Sequence, residues 1–245
     1  MRKIYQSFVF DLYGTLVDIR TDEEDPALWA SFAGILARRG IDAPPQALQA
    51  SFRRCCALLE ERQRQRLQRN NIPGPGEIDI LDVWRMLAQA HGVTIPERDL
   101  PEISRAFRAR STRRLRLYDG AERVLSALRQ SGKQTVLLTN AQASFTLPEL
   151  RQLGLARSFD HILISSRIGV KKPSPAMFRE LLRLGLDPSR SLMIGTDDRC
   201  DCRGAAAAGI DSLYLRTAQS PVPAGPLPES CRQIQDLSEV LDCIG

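Results

Sequence analysis

Lysine is scarce in this chain: 4 Lys stand against 30 Arg in 245 residues. The net charge of +5 is spread along the sequence with no polybasic block, so a nucleic-acid partner is not expected. Long apolar runs are missing too. No stretch approaches the roughly 20 residues that a membrane span requires, so no membrane partner is expected. The sequence enters a strand almost at once, so no signal peptide is expected. Six cysteines (55, 56, 200, 202, 231 and 243) do not form the framework of a small secreted protein, so free thiols in the cytoplasm are expected. His91 ends a helical pattern and His161 opens a strand; neither has an evident partner in sequence. Internal repeats and low-complexity segments are absent. The length suits one large domain or a core domain carrying an insert.

Two kinds of sequence are present. From Gln134 onward, short apolar runs (135–139, 161–165, 192–195 and 212–215) alternate with helical segments near 120–131, 174–184 and 201–208. That alternation predicts an α/β fold, a Rossmann-like doubly wound parallel sheet with helices on both faces. Residues 18–115 read instead as helical, with apolar spacing over 27–39, 46–68, 80–91 and 99–114 and a Pro-Gly breaker at 72–76. The first strand, Tyr5 to Phe10, stands alone before this block. The economical arrangement is an α/β core from residues 1–18 and 116–245, with a helical lid of residues 19–115 inserted after the first strand. Residues 219–228 read as a Pro-rich surface loop before a short final helix.

Four strand ends carry reactive side chains: Asp11, Gly14 and Thr15; Thr139 and Asn140; Lys171 and Lys172 before Pro173; and Thr196, Asp197, Asp198 and Asp201. In a parallel sheet the carboxyl ends of the strands converge on one crevice. The set suits an anionic substrate. A carboxylate can attack an electrophilic phosphorus or carbon. A lysine can balance the charge of nucleophile and substrate, and hydroxyls can hold an oxyanion. Clustered acids can bind Mg²⁺, which prefers oxygen ligands.

In order and spacing, Asp11-Leu-Tyr-Gly-Thr15, Leu138-Thr-Asn140, Lys172-Pro-Ser-Pro175 and Ile194-Gly-Thr-Asp-Asp-Arg-Cys-Asp201 resemble the four motifs of the haloacid dehalogenase-like (HAD) hydrolases. The helical insert resembles that family's C1 cap. The resemblance implies Asp11 as nucleophile and catalytic Thr139 and Lys172. It implies a phosphate site of Thr15, Thr139, Asn140 and Lys172. The metal site would be Asp11, the Tyr13 carbonyl and Asp197, with Asp198 or Asp201 as alternate or supporting acids.

Tyr13 departs from the phosphatase pattern. Phosphatases of this family usually carry there an aspartic acid that protonates the leaving group, and such help is worth roughly 10²–10⁴ in rate. Phe-Asp-Leu-Tyr-Gly-Thr-Leu resembles instead the L-2-haloacid dehalogenase form, whose leaving halide needs no proton. Other positions depart from the dehalogenases. Ala30 follows Ala27-Leu28-Trp29 where they place a halide-binding arginine, Phe178 stands for a tyrosine, and the last motif is rich in acid. The resemblance therefore implies a Mg²⁺-dependent phosphatase acting on a small phosphate monoester. The alternatives are an L-2-haloacid dehalogenase and a weakly active or non-catalytic phospholigand-binding protein. Oligomeric state is open.

Plainer readings apply to several of these residues. One acid of the 197–201 cluster suits a helix N-cap. Of Lys171 and Lys172, one is solvated surface. Cys200 and Cys202 suit packing, and the arginine-rich faces at 62–69 and 105–114 suit solvent. The Pro-Gly loop and Glu77 read as a helix connector.

Overall fold

The computed structural model describes residues 3–244. Six parallel strands form one sheet: β1 (Ser7–Phe10), β4 (Gln134–Thr139), β5 (His161–Ile164), β6 (Ser191–Gly195), β7 (Asp211–Leu215) and β8 (Cys231–Ile234), in the order β5-β4-β1-β6-β7-β8. Strand order runs outward from β1 in both directions, so the crevice beside β1 is the switch point where open α/β sheets bind ligands. Every residue of β1 and β6 is buried, as expected of central strands covered on both faces. Side chains alternate between the two faces. Phe8, Phe10 and Leu137 join one apolar cluster; Val9, Val136 and Leu138 join the other.

The expected α/β class and its five strands hold within a residue or two at most ends. β8 is an addition. It follows the Pro-rich loop and precedes a 3₁₀ turn at Leu237–Cys243, where a final helix was expected. Helix α6 (Ala143–Gln152) is a second addition; Pro148 inside it obscures the pattern.

Residues 26–111 hold four helices: α1 (Pro26–Ala37), α2 (Pro45–Arg69), α3 (Ile80–Ala90) and α4 (Leu100–Ser111). Asp25 caps α1 and Asp79 caps α3 through backbone N–H groups two residues on. Their shared core is aromatic. Trp29, Phe32, Phe52, Trp84 and Phe107 lie with ring centroids 4.9–6.1 Å apart. Such pairs add about 0.5–1.5 kcal/mol each beyond area burial.

The block is not helical throughout, and this corrects the expectation for 18–115. Its ends are β2 (Val17–Thr21) and β3 (Thr112–Leu117), an antiparallel ribbon that carries the chain out of the sheet and back. Helix α4 therefore stops at Ser111 rather than near Arg114. The cause is a period of two. Val17 and Ile19 pair with Leu117 and Leu115, while Asp18 and Arg20 pair with Arg116 and Arg114. Asp18 is buried and accepts from both Arg114 (3.0 Å) and Arg116 (2.9 Å).

Candidate active site

Asp11 follows the last residue of β1, and its backbone N–H bonds the Ile194 carbonyl of β6 (2.9 Å). The chain then turns tightly: Thr15, Leu16 and Val17 N–H groups all converge on the Leu12 carbonyl. Thr15 is fully buried, and its hydroxyl donates to Asp11 Oδ2 (3.1 Å). Lys172 Nζ donates to Asp11 Oδ1 (2.8 Å) and to Asp201 Oδ1 (2.7 Å). Burial disfavours the Lys172 ammonium, but Asp11 and Asp201 outweigh it and hold its pKa above the ordinary lysine range. The lysine is a fixed cation. Asn140 brackets its backbone, accepting from Lys172 N–H (2.7 Å) and donating to the Lys172 carbonyl (3.1 Å).

The acid-rich motif after β6 divides its labour. Residues Asp198–Cys202 form a wide π turn. Asp197 caps it, accepting from the Arg199 and Cys200 N–H groups (2.9 and 3.0 Å). Asp201, one turn on, is fully buried and accepts from both Lys172 Nζ and Asp197 N–H. Burial pushes its carboxyl upward against the pull of Lys172. Gly195 makes room for it: a Cβ there would lie 2.1 Å from Asp201 Oδ2. Asp198 points elsewhere, accepting from Arg203 Nε (3.3 Å) and Ala224 N–H (3.0 Å).

Asp11, Tyr13, Thr139, Asn140, Lys172, Thr196, Asp197, Cys200 and Asp201 line one cavity of about 200 Å³ together with Gln219 and Pro221. Thr15 touches it through Asp11; Asp198 stays out of it. Gln219 and Pro221 come from the loop expected to be plain surface. Gln219 Nε2 donates to Asp18 Oδ1 (2.7 Å), and Thr217 donates to the Gly14 carbonyl (3.2 Å), so this loop folds back over the Asp11 turn. No sequence pattern marked it. The Cys200 thiol is pushed up to about 12 by burial and the neighbouring Asp197 and Asp201, so it stays protonated and is no thiolate nucleophile at neutral pH.

None of the residues lining this cavity belongs to 19–115. The helical block meets the sheet beside it, at two places. Lys171 and Lys172 do not end a strand as expected: the short helix Ser165–Ile168 separates them from β5. The 72–78 loop docks on this segment: Glu77 N–H bonds the Gly169 carbonyl (3.0 Å) and Lys171 N–H the Pro75 carbonyl (3.0 Å). Glu77 is buried and accepts from Ser165 (2.7 Å), and Lys171 lies 3.7 Å from it. Gly74 sits at φ +102°, and a Cβ there would lie 2.6 Å from Ser174 Cβ. The second contact joins α4 to α6 through Arg108 and Glu149 (2.6 Å).

Tyr13 belongs to that second contact. Its hydroxyl donates to Glu149 Oε2 and lies 3.1 Å from Thr146 Oγ1. Burial first, then the Glu149 carboxylate, push the phenol well above the usual tyrosine range, so it holds its proton. Ala30 is exposed on α1. Phe178 is buried against Gly204, in the apolar cluster on one face of the sheet. His91 is paired after all, 3.2 Å from the Ser51 hydroxyl, and no disulfide joins the six cysteines.

A lysine and three acids thus meet beside the switch point of a parallel sheet. Residues 5–209 match the haloacid dehalogenase-like hydrolase family, and the chain belongs to it. It is 35% identical to phosphoserine phosphatase of Thermus thermophilus over 146 residues, 59% of this chain and 57% of that protein. It is 30% identical to phosphoglycolate phosphatase of Pseudomonas putida over 208 residues, 84% of this chain and 68% of that one. The chain thus spans little more than half of the first relative's length. A HAD phosphatase from Thermococcus onnurineus shares the fold (TM-score 0.58, 18% identity, 98% of each chain). Among the described residues no helix is long and apolar enough to cross a membrane.

Proposed function

We propose that the protein is a Mg²⁺-dependent phosphatase that hydrolyses a small phosphate monoester through a covalent aspartyl-phosphate at Asp11. The observation that carries this reading is the buried Lys172 ammonium bonded to Asp11 at one wall of a pocket of about 200 Å³ that Thr139, Thr196, Asp197 and Asp201 also line. Asp11 Oδ2 attacks phosphorus, the P–O bond to the alcohol breaks, and water then hydrolyses the acyl phosphate. Lys172, Thr139 and Asn140 face the charge that develops on the phosphoryl oxygens. The phosphatase relatives support phosphorus as the centre attacked.

The donor set fits a hard divalent cation. Asp11, Asp197 and Asp201 against one lysine leave the pocket two negative charges in excess. No group of three or more His, Cys, Asp and Glu is arranged to hold a metal among the described residues. An ion there would rest on Asp11, Asp197, the Tyr13 carbonyl and water, a sparse oxygen set that suits Mg²⁺. When bound, Mg²⁺ would neutralise phosphoryl charge. Asp201 is committed to Lys172 and the Asp197 backbone, so its part is to fix the lysine.

Tyr13 keeps its proton and spends it on Glu149, so the leaving alkoxide has no acid at position 13. Aryl phosphates, whose leaving groups need no proton, are the substrates of choice for a test. Hydrolysis of p-nitrophenyl phosphate is expected to require Mg²⁺ and to disappear in Asp11→Asn. Turnover that survives a chelator would remove the metal from this reading, and turnover that survives Asp11→Asn would remove the mechanism.

Tyr13 also favours a second reading, L-2-haloacid dehalogenase chemistry, in which Asp11 displaces halide from carbon. Chloride release from 2-chloropropionate without metal would establish it.

A further inference from the structure

The Asp11 turn touches the helical block through a three-residue relay. Arg108 lies in the last turn of α4, and its backbone carbonyl accepts from both Ser111 and Thr112 hydroxyls where α4 becomes β3. Its guanidinium donates to Glu149 Oε1 and lies 5.0 Å from the Phe145 ring centroid and 5.7 Å from that of Tyr13. Glu149 Oε2 accepts from the Tyr13 hydroxyl. Tyr13 in turn forms a β-bridge with Val17, the first residue of β2. The two ends of the relay are therefore rooted at the starts of the two ribbon strands that join the helical block to the sheet. Glu149, on α6, and Tyr13, in the Asp11 turn, sit on the sheet side, and Arg108 sits on the helical block. Any swing of the block about the β2–β3 ribbon moves Arg108 relative to Glu149. Glu149 is buried, with its side chain 8% exposed, and Arg108 is 13% exposed; both line a cavity of about 330 Å³, so the pair is shielded from solvent on one side and meets it on the other.

From this arrangement we infer that Glu149 is a positioning residue that couples the seating of α4 to the placement of the Asp11 turn, with Tyr13 as the connecting arm. The role rests on Asp11 as the reacting group. It assigns to Tyr13 a purpose other than proton transfer: the phenol reads the position of the helical block. Glu149 can serve both neighbours because a carboxylate has two acceptor oxygens. One takes the guanidinium and the other the phenol. A glutamine has one acceptor oxygen and cannot replace it.

The experiment combines a kinetic double-mutant cycle with hydrogen exchange. Tyr13→Phe, Arg108→Met and the double variant are assayed on p-nitrophenyl phosphate, with Arg108→Lys as rescue and the exposed Arg105→Met as a control on the same helix. Each single change is expected to lower kcat by about tenfold with KM within about twofold, as for a small misplacement of a reacting group. The double variant is expected to be no worse than either single one. Arg108→Lys is expected to recover most of the loss. Additive losses, or an effect on KM alone, would overturn the coupling. Exchange provides a readout independent of turnover. Arg108→Met is expected to raise exchange at residues 12–17, and Tyr13→Phe at residues 105–117, with strands β6 and β7 unchanged. Effects confined to each variant's own element would overturn the proposal. A wild type that does not hydrolyse the ester would count against the phosphatase reading alone, and the exchange arm would still decide the coupling.

Discussion

Two charged clusters flank the Asp11 turn, and they are built differently. Asp11 follows the end of β1, Lys172 lies past the short helix Ser165–Ile168 that follows β5, and Asp201 lies in the π turn that follows β6, so all three come from segments at one edge of the sheet. Arg108, Glu149 and Tyr13 come from α4, α6 and the turn, and so from both sides of the β2–β3 ribbon. The first cluster joins the end of β1 to the segments that follow β5 and β6. The second exists only when the helical block is seated on it. On the proposed reading the two clusters serve two tasks that share one turn of chain: holding charge for chemistry, and coupling that turn to the helical block.

Breaking the first cluster has the larger effect. Lys172→Met leaves Asp11 and Asp201 facing each other in a buried site without a cation. Activity is expected to fall by about 10²–10³-fold, the scale of losing a charge stabiliser. Stability is expected to fall by about 3–5 kcal/mol, the cost of an uncompensated buried charge. Steady-state kinetics and urea unfolding check both. A variant with near-normal kcat would show that the two clusters do not divide the work as described.

The loop contact comes next. Gly74→Ala places a Cβ against Ser174 at a φ few side chains adopt, so the 72–78 loop must lift from the Lys172 segment. A loss of about 1–3 kcal/mol in thermal or urea unfolding is expected. Exchange should rise at 72–78 while β1 and β6 stay protected.

The smallest expected effect is at the ribbon. Arg114 first, then Arg116, hold the Asp18 carboxyl below the usual carboxylate range. A depressed pKa gives stability that is present above the unfolded value and lost as pH falls through the folded one. Both arginines are largely solvated, so Asp18→Asn is expected to cost only about 1 kcal/mol near neutrality. The gap between wild type and variant should close as the pH drops below about 4. A gap that is constant from pH 7 to pH 3 would mean that the ion pairs contribute nothing.

These assignments differ in how far the sequence reveals them. The sheet and its strand-end residues are legible because buried parallel strands are short continuous apolar runs with reactive side chains at their ends. The β2–β3 ribbon is legible only in hindsight. Its alternation of Val17 and Ile19 with Leu115 and Leu117 is two residues deep and lost among arginines. Helix α6 hides behind Pro148, and with it Thr146 and Glu149. The residues that meet Tyr13 lie 95 to 136 positions away in sequence, where no local pattern could connect them. Gln219 is hidden for the same reason: its role depends on a loop folding back onto Asp18.

The most direct test of Asp11 as a phosphoryl acceptor is a single turnover in H₂¹⁸O, followed by mass spectrometry of the phosphate and of the peptide containing Asp11. The predicted result is ¹⁸O in inorganic phosphate and none in the aspartate, together with a phosphoryl group on the Asp11 peptide when the turnover is quenched early in acid; label in phosphate with no phosphorylated peptide would mean direct attack by water and would contradict the account. Incorporation of ¹⁸O into the Asp11 carboxylate would mean that water attacks the ester carbon, as in displacement of a halide, and would contradict it.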